Sequence, residues 1–242
     1  MRSVSKWSLI LCLVLAMLLS GCAGEQDIAG TVEEDNDQVM EMPVVVGETA
    51  AEQEEREVSL GRIQGGVYTN AYVGIGCKLD GDWEYYTAEE LQELPGYAAQ
   101  QLEGTALEES LKNVDQFVDM KAENAVDFLT VNILFSKTDM QTRLMCTADP
   151  ELLLDQTLDQ KDVLAESYAQ AGILVSDMEK VTVTFLGAEQ SALLTTAEVE
   201  EIPTYILQLF DYSLGQYGMT MTVYSYLENN TQDVLDLFYS LE

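Results

Sequence analysis

Histidine is absent from all 242 residues. That excludes the Ser-His-Asp and Cys-His nucleophile systems, the side chain that titrates near neutral pH, and most zinc sites. Any catalysis would rest on Asp, Glu, Tyr, Lys or a bound metal. Positive charge is scarce as well. Only 11 Lys and Arg oppose 43 Asp and Glu, for a formal net charge of −32. Such a chain lacks the basic residues that neutralise phosphates, so nucleic acid is excluded as a partner. It also has no polybasic patch for an anionic membrane surface. Its charge favours solubility and attracts cations or basic partners. Cysteine is limited to Cys12, Cys22, Cys77 and Cys146. Cys12 and Cys22 belong to the N-terminal segment, so the remainder offers one pair and no disulfide framework. Cys77 and Cys146 sit in or beside apolar sequence and read as buried thiols. No Walker A loop, G-x-S-x-G elbow or complete G-x-G-x-x-G is present, and Gly74-Ile75-Gly76 alone makes no phosphate cradle.

The N-terminus carries the clearest motif. Arg2 and Lys6 precede an apolar stretch from Trp7 to Leu19. That stretch is shorter than the roughly 20 residues of a membrane span and suits the core of a signal peptide. Leu19-Ser20-Gly21-Cys22 follows, and it looks like a bacterial lipobox. The expectation is a signal peptide over residues 1–21 and a mature chain beginning at a diacylglyceryl-modified Cys22. This would anchor the protein to the outer face of the cytoplasmic membrane. Residues 22–62 read as an acidic, disordered tether: twelve carboxylates from Glu25 to Glu57 face Arg56 and Arg62, with no aromatic residue. Such a segment buries too little to offset its ordering entropy.

Residues 63–242 read as a single α+β domain. Val67–Tyr72 and Val73–Leu79 are strand-like, and Asp80-Gly81 is a turn signal. Trp83-Glu84-Tyr85 follows as extended chain. Thr87-x-x-Glu90 matches a capping box. Thr105-x-x-Glu108 repeats it before Leu107, Leu111, Val114 and Val118, which recur on one helical face. Phe128–Phe135 alternates as a strand. Leu154, Leu158, Ala165 and Tyr168 share a helical face, with Gly172 as the stop. Val181–Leu186 and Ser191–Thr196 alternate as strands, joined near Glu189-Gln190. Ile202–Tyr212 and Tyr217–Leu227 form a hairpin. A closing helix is expected from Asn230, burying Val234, Leu237, Phe238 and Leu241. Hairpins and short links imply an antiparallel sheet flanked by helices.

The segment Gly66-Val67-Tyr68-Thr69-Asn70-Ala71-Tyr72-Val73-Gly74-Ile75-Gly76, with Asp80-Gly81-Asp82-Trp83 after it, resembles the entry of PsbP-like domains. The family's turn carries a proline that is missing here, and its Gly–Trp spacing is one residue shorter. The resemblance covers about residues 63–242 and implies an α/β/α sandwich. It implies a binding or assembly role and no shared catalytic residues. The chain as a whole resembles bacterial lipoproteins of Gram-positive type that carry a similar tether and domain.

Trp83, Tyr85 and Tyr86 cluster after a tight turn and are candidate ligand-contact residues, or else a core plug with a half-exposed rim. Tyr205, Tyr212, Tyr217, Tyr224 and Tyr226 could line an exposed sheet face and bind glycan or peptide, or else follow from strand propensity and helix coverage. Asp80, Asp82 and Glu84 fall short of a calcium loop, so no metal or cofactor is expected. Composition and motifs together favour a lipid-anchored, non-enzymatic binding or assembly module with a protein partner at the cell surface. A small-ligand-binding lipoprotein and a carboxylate-dependent hydrolase stay open as alternatives.

Overall fold

Two-residue alternation dominates the second half of the chain, and the computed structural model turns most of it into strand. It describes residues 58–79, 81–92 and 114–241. Half of the described residues lie in strands and 22% in helices, so the domain is β-rich. The expected α/β/α sandwich is overturned: two antiparallel sheets pack on each other, and helices cover only part of the far face.

The small sheet holds β1 (Arg62–Gln64), β2 (Val67–Asn70), β3 (Ile75–Lys78) and β11 (Phe238–Ser240), in the order β1-β2-β3-β11. The large sheet contains β4 (Trp83–Tyr85), β5 (Gln116–Asn124), β6 (Leu129–Lys137), β7 (Ile173–Phe185), β8 (Ala188–Val199), β9 (Ile202–Asp211) and β10 (Tyr217–Tyr226). Their order is β4-β5-β6-β10-β9-β8-β7. The helices are α1 (Ala88–Gln92), α2 (Met140–Ala148), α3 (Leu152–Asp159), α4 (Lys161–Gln170) and α5 (Thr231–Leu235).

Several local expectations hold. The capping box closes reciprocally: the Glu90 N–H donates to Thr87 Oγ1 at 3.2 Å and the Thr87 N–H to Glu90 Oε2 at 2.8 Å. Gly172 stops α4 with φ +82°, a conformation that suits glycine. Along β10, Tyr217, Met219, Met221 and Val223 face the inter-sheet core, while Tyr224 faces the helices.

Others are corrected. Val118 belongs to β5, not to a helix, because the strand begins at Gln116. The Thr105–Glu108 helix start lies outside the described residues. The face from Leu154 to Tyr168 is split between α3 and α4 at Gln160. α2 was unforeseen; its N-cap Asp139 accepts the Thr142 N–H at 2.8 Å. The β7–β8 turn is Leu186-Gly187, not Glu189-Gln190. Both of its residues have positive φ, as a two-residue type I′ loop demands. The β8–β9 loop uses Glu200-Glu201 at φ 51° and 69°. The closing helix ends at Leu235, and Phe238 begins a strand paired with β3. Val234, Leu235 and Phe238 are buried, whereas Leu237 and Leu241 are half-buried.

A bulge joins the two sheets. The register of β5 against β6 slips between Val118 and Met120, and Asp119 reaches over to the small sheet. Its carboxylate accepts the Gly61 N–H at 2.8 Å, the Tyr68 hydroxyl at 2.6 Å and the Asn70 amide at 2.8 Å. A side chain at residue 61 would meet the Tyr68 ring 2.2 Å from its Cβ, so glycine is required there.

Candidate functional site

The residues singled out from sequence do not form one platform. Trp83 is half-buried and lines a hollow of about 370 Å³ with Asp127, Asn230, Asp233 and Leu237. Tyr85 is also half-buried, and its hydroxyl donates to the Cys77 carbonyl at 3.2 Å. Tyr86 departs from them: its hydroxyl donates to Glu123 at 2.8 Å and its ring lies 4.5 Å from Lys121 Nζ. The five tyrosines of the late hairpin are likewise divided. Tyr217 is in the inter-sheet core, Tyr224 is in the core under the helices, and Tyr212 is buried with its hydroxyl 3.2 Å from Thr220 Oγ1. Tyr205 and Tyr226 are half-buried. Cys22 and Asp80 lie outside the described residues. Among the described residues no three His, Cys, Asp or Glu side chains are grouped to hold a metal ion.

Cys77 and Cys146 are both free and buried, in different layers. Burial pushes the Cys77 thiol up to about 12. Burial, with the carboxylates of Asp149 and Asp211, also raises Cys146. Both therefore remain protonated thiols and poor nucleophiles.

The larger opening lies on the helix-covered face. A cleft of about 550 Å³ separates α2 and the start of α3 from β8 and the end of β9. Leu153, Leu154, Phe210 and Cys146 supply apolar wall; Glu151, Ser191 and Asp211 supply polar rim. Sequence reasoning missed this cleft because α2 was not recognised. Its rim is tied across layers. The Ser191 hydroxyl and Lys180 Nζ both donate to Glu151, the latter at 2.9 Å, and Lys180 also reaches Asp155 at 2.6 Å. The bonds from Ser191 and then Lys180 hold Glu151 below the usual carboxylate range. Those from Asp155 and Glu151 raise Lys180 to about 12. These groups are exposed, so the ties position the rim more than they stabilise the fold.

A polar seam crosses the helix-facing side of the large sheet, away from the cleft lining. On the same face, Asn132 of β6 stands opposite Thr222 of β10, which stands opposite Gln208 of β9. Thr195 of β8 is diagonal to Gln208. All four are at least nine-tenths buried. Asn132 Oδ1, Thr222 Oγ1, Thr195 Oγ1 and both amide atoms of Gln208 meet no hydrogen-bond partner among the described residues. Each such group costs about 1–3 kcal/mol when left unsatisfied. A sequence signal existed: Thr220 and Thr222 alternate with Met219, Met221 and Val223, a polar face where a helix-covered strand would be apolar.

No family model matches the chain, and no curated protein matches it.

Proposed function

We propose that this protein is a lipid-anchored, extracytoplasmic, non-enzymatic binding module whose ligand or partner enters the cleft between α2–α3 and the β8–β9 edge of the helix layer. The observation that carries the reading is the cleft itself. Its volume of about 550 Å³ lies within the roughly 300–1,000 Å³ of preformed ligand sites, and it has their mix of apolar wall and few polar groups. Nothing in it supports turnover. Its thiol is held protonated, Glu151 is already occupied by Ser191 and Lys180, and the chain has no histidine. The lipobox at Leu19–Cys22 supports the address.

Two measurements test the reading. Cys22→Ala should abolish lipid labelling and leave the chain either released or unprocessed. A processed variant still attached to membranes refutes the anchor. A photocrosslinking residue at Ser213, on the cleft rim, should trap a discrete adduct from intact membranes, whereas one at Val163, exposed on α4, should not. Equal labelling at both positions argues against the cleft.

A further inference from the structure

We propose that the hollow beside Trp83 is a second contact site, separate from the cleft, that takes the side chain of a lysine or arginine from a protein partner. The chain builds this hollow at one end of the inter-sheet core. Trp83 of β4 stands opposite Asn124 of β5, and Asn124 stands opposite Leu129 of β6. Directly paired residues point to the same face of a sheet, so the three form one row. Leu129 of that row is buried in the inter-sheet core, and Trp83 packs against it. α5 and the residues after it supply Asp233, Val234 and Leu237. The space left between them is about 370 Å³, toward the small end of the roughly 300–1,000 Å³ of ligand sites. It shares no lining residue with the cleft.

The lining is apolar below and anionic at the rim. Leu129 and Val234 are buried, Trp83 and Leu237 half-buried, and Asp127 and Asp233 exposed. No Lys or Arg lines the hollow, and neither aspartate forms an ion pair among the described residues. Asp127 is fixed in place by the buried Asn124. The Asn124 amide donates to Asp127 Oδ2 at 2.8 Å, and its oxygen accepts the Val126 and Asp127 N–H groups, each at 3.0 Å. A carboxylate held in this way gives up little freedom on binding. A group that answers the whole lining has an apolar stem for Leu129, Val234 and Leu237. It has a positive end for the two carboxylates and is attracted to an indole. Lysine and arginine side chains have all three properties. An anion is repelled by the rim, and a neutral apolar group leaves both carboxylates without a partner.

The residues on either side of Asp127 point to a protein rather than a free amine. Val126 and Phe128 are 62% and 54% exposed. Phe128 also holds left-handed backbone at φ 56°, which is rare for a bulky residue and concentrates at functional positions. A free amine in the hollow leaves both side chains in water. A protein surface that carries the basic residue covers them, and aromatic residues are enriched in such interfaces.

The test titrates the full mature chain at fixed ionic strength with the capped pentapeptide Ala-Leu-Lys-Leu-Ala and its arginine counterpart. Trp83 is the only tryptophan after Trp7, so its fluorescence reads the hollow directly, and calorimetry gives the affinity. Saturable binding with a change in Trp83 emission is expected. Acetylating the lysine Nζ keeps the stem and removes the charge; it should weaken binding by about tenfold or more. Asp127→Asn and Asp233→Asn should each weaken it by about fivefold. Both residues are exposed, so the fold is kept. Asp162→Asn on α4 and Glu189→Gln on the cleft rim remove the same charge elsewhere; each should change the affinity by less than about twofold. Val126→Ser should weaken the peptide by about threefold through lost apolar burial and leave binding of n-butylammonium unchanged. An equal loss in all four charge variants overturns the proposal, because the peptide would then be answering the acidic chain as a whole. A loss confined to Glu189→Gln moves the cation to the cleft and overturns it too. So does equal binding of free and acetylated lysine peptides, or no binding of the lysine and arginine peptides. An n-butylammonium affinity equal to that of the peptide, with no effect of Val126→Ser on either, overturns the protein as partner. None of these results bears on the cleft, which crosslinking at Ser213 decides separately.

Discussion

Replacing Asp119 with alanine should separate the two sheets energetically. The bulged residue is half-buried as a whole, yet its carboxyl end is enclosed by Gly61, Tyr68 and Asn70. Tyr68 and Asn70 are both fully buried. Asp119→Ala strands the Tyr68 hydroxyl and one N–H of the Asn70 amide, whose nitrogen keeps the Ser59 carbonyl at 3.2 Å, and two unsatisfied buried donors cost together about 2–6 kcal/mol. For a domain of this size each kcal/mol shifts the melting temperature by about 2–4 °C, so a fall of roughly 10 °C is expected. Urea unfolding followed by tryptophan fluorescence gives the free energy directly. Asp119→Asn is the milder probe. Its carbonyl can keep Tyr68 and Asn70, but its amide then faces the Gly61 N–H, donor against donor; a loss near 1 kcal/mol is expected. The pair also separates a pH effect. Enclosure raises the folded-state pKa of Asp119 above the ordinary carboxylate value, even against the lowering by its hydrogen bonds. Its titration therefore contributes stability that is fully present below the ordinary value and is lost as pH rises through the raised one. Asp139 and Glu151 are lowered and act in the opposite sense, losing their contribution as pH falls. The difference between parent and Asp119→Asn isolates the titration of Asp119. An Asp119→Ala chain within about 0.5 kcal/mol of the parent would refute the account of the bulge as a bond between sheets.

Glu200→Asn with Glu201→Gly should raise unfolding free energy by about 1–2 kcal/mol, because two non-glycine residues hold left-handed backbone in that loop and Asn-Gly suits it. A loss of stability in urea titration would contradict the hairpin geometry. Phe238→Ala should cost about 3–5 kcal/mol, since Phe238 is buried and packs 5.9 Å from the Phe185 ring; a neutral result would place β11 outside the core. Neither thiol should react with Ellman's reagent in the native chain, and reductant should leave the melting temperature unchanged. A large drop on reduction would reveal a bridge.

What was readable in the sequence were the features governed by short-range chemistry. The Thr87–Glu90 box, the Gly172 stop, the two faces of β10 and the pairing of β9 with β10 each rest on residues close along the chain. The errors share another cause. β7 begins eight residues earlier than its apolar alternation, because an edge strand tolerates Asp177, Glu179 and Lys180 in solvent. Phe238 looked helical at four residues from Val234, but the partner that makes it a strand, Cys77, lies far back in the chain. The second sheet was hidden for the same reason. The candidate ligand residues fared similarly: Trp83, Tyr85 and Tyr86 are adjacent, and strand alternation parts the last of them. The cleft depends on α2, whose only local signal was the Asp139 cap, and the seam on register across four strands.

Among the described residues, the small sheet is built from the first three strands and the last, since β11 pairs with β3. A chain that leaves a ribosome from its N-terminus presents β1, β2 and β3 long before Phe238–Ser240 emerges. The hairpins β7–β8, β8–β9 and β9–β10 can form from neighbours as they appear, whereas the inter-sheet core must wait for a contact spanning most of the domain, a slow closure of high sequence separation. Until then the Tyr68, Ile75 and Cys77 face stays open. The last of the described strands is therefore also the one that closes the small sheet over the core.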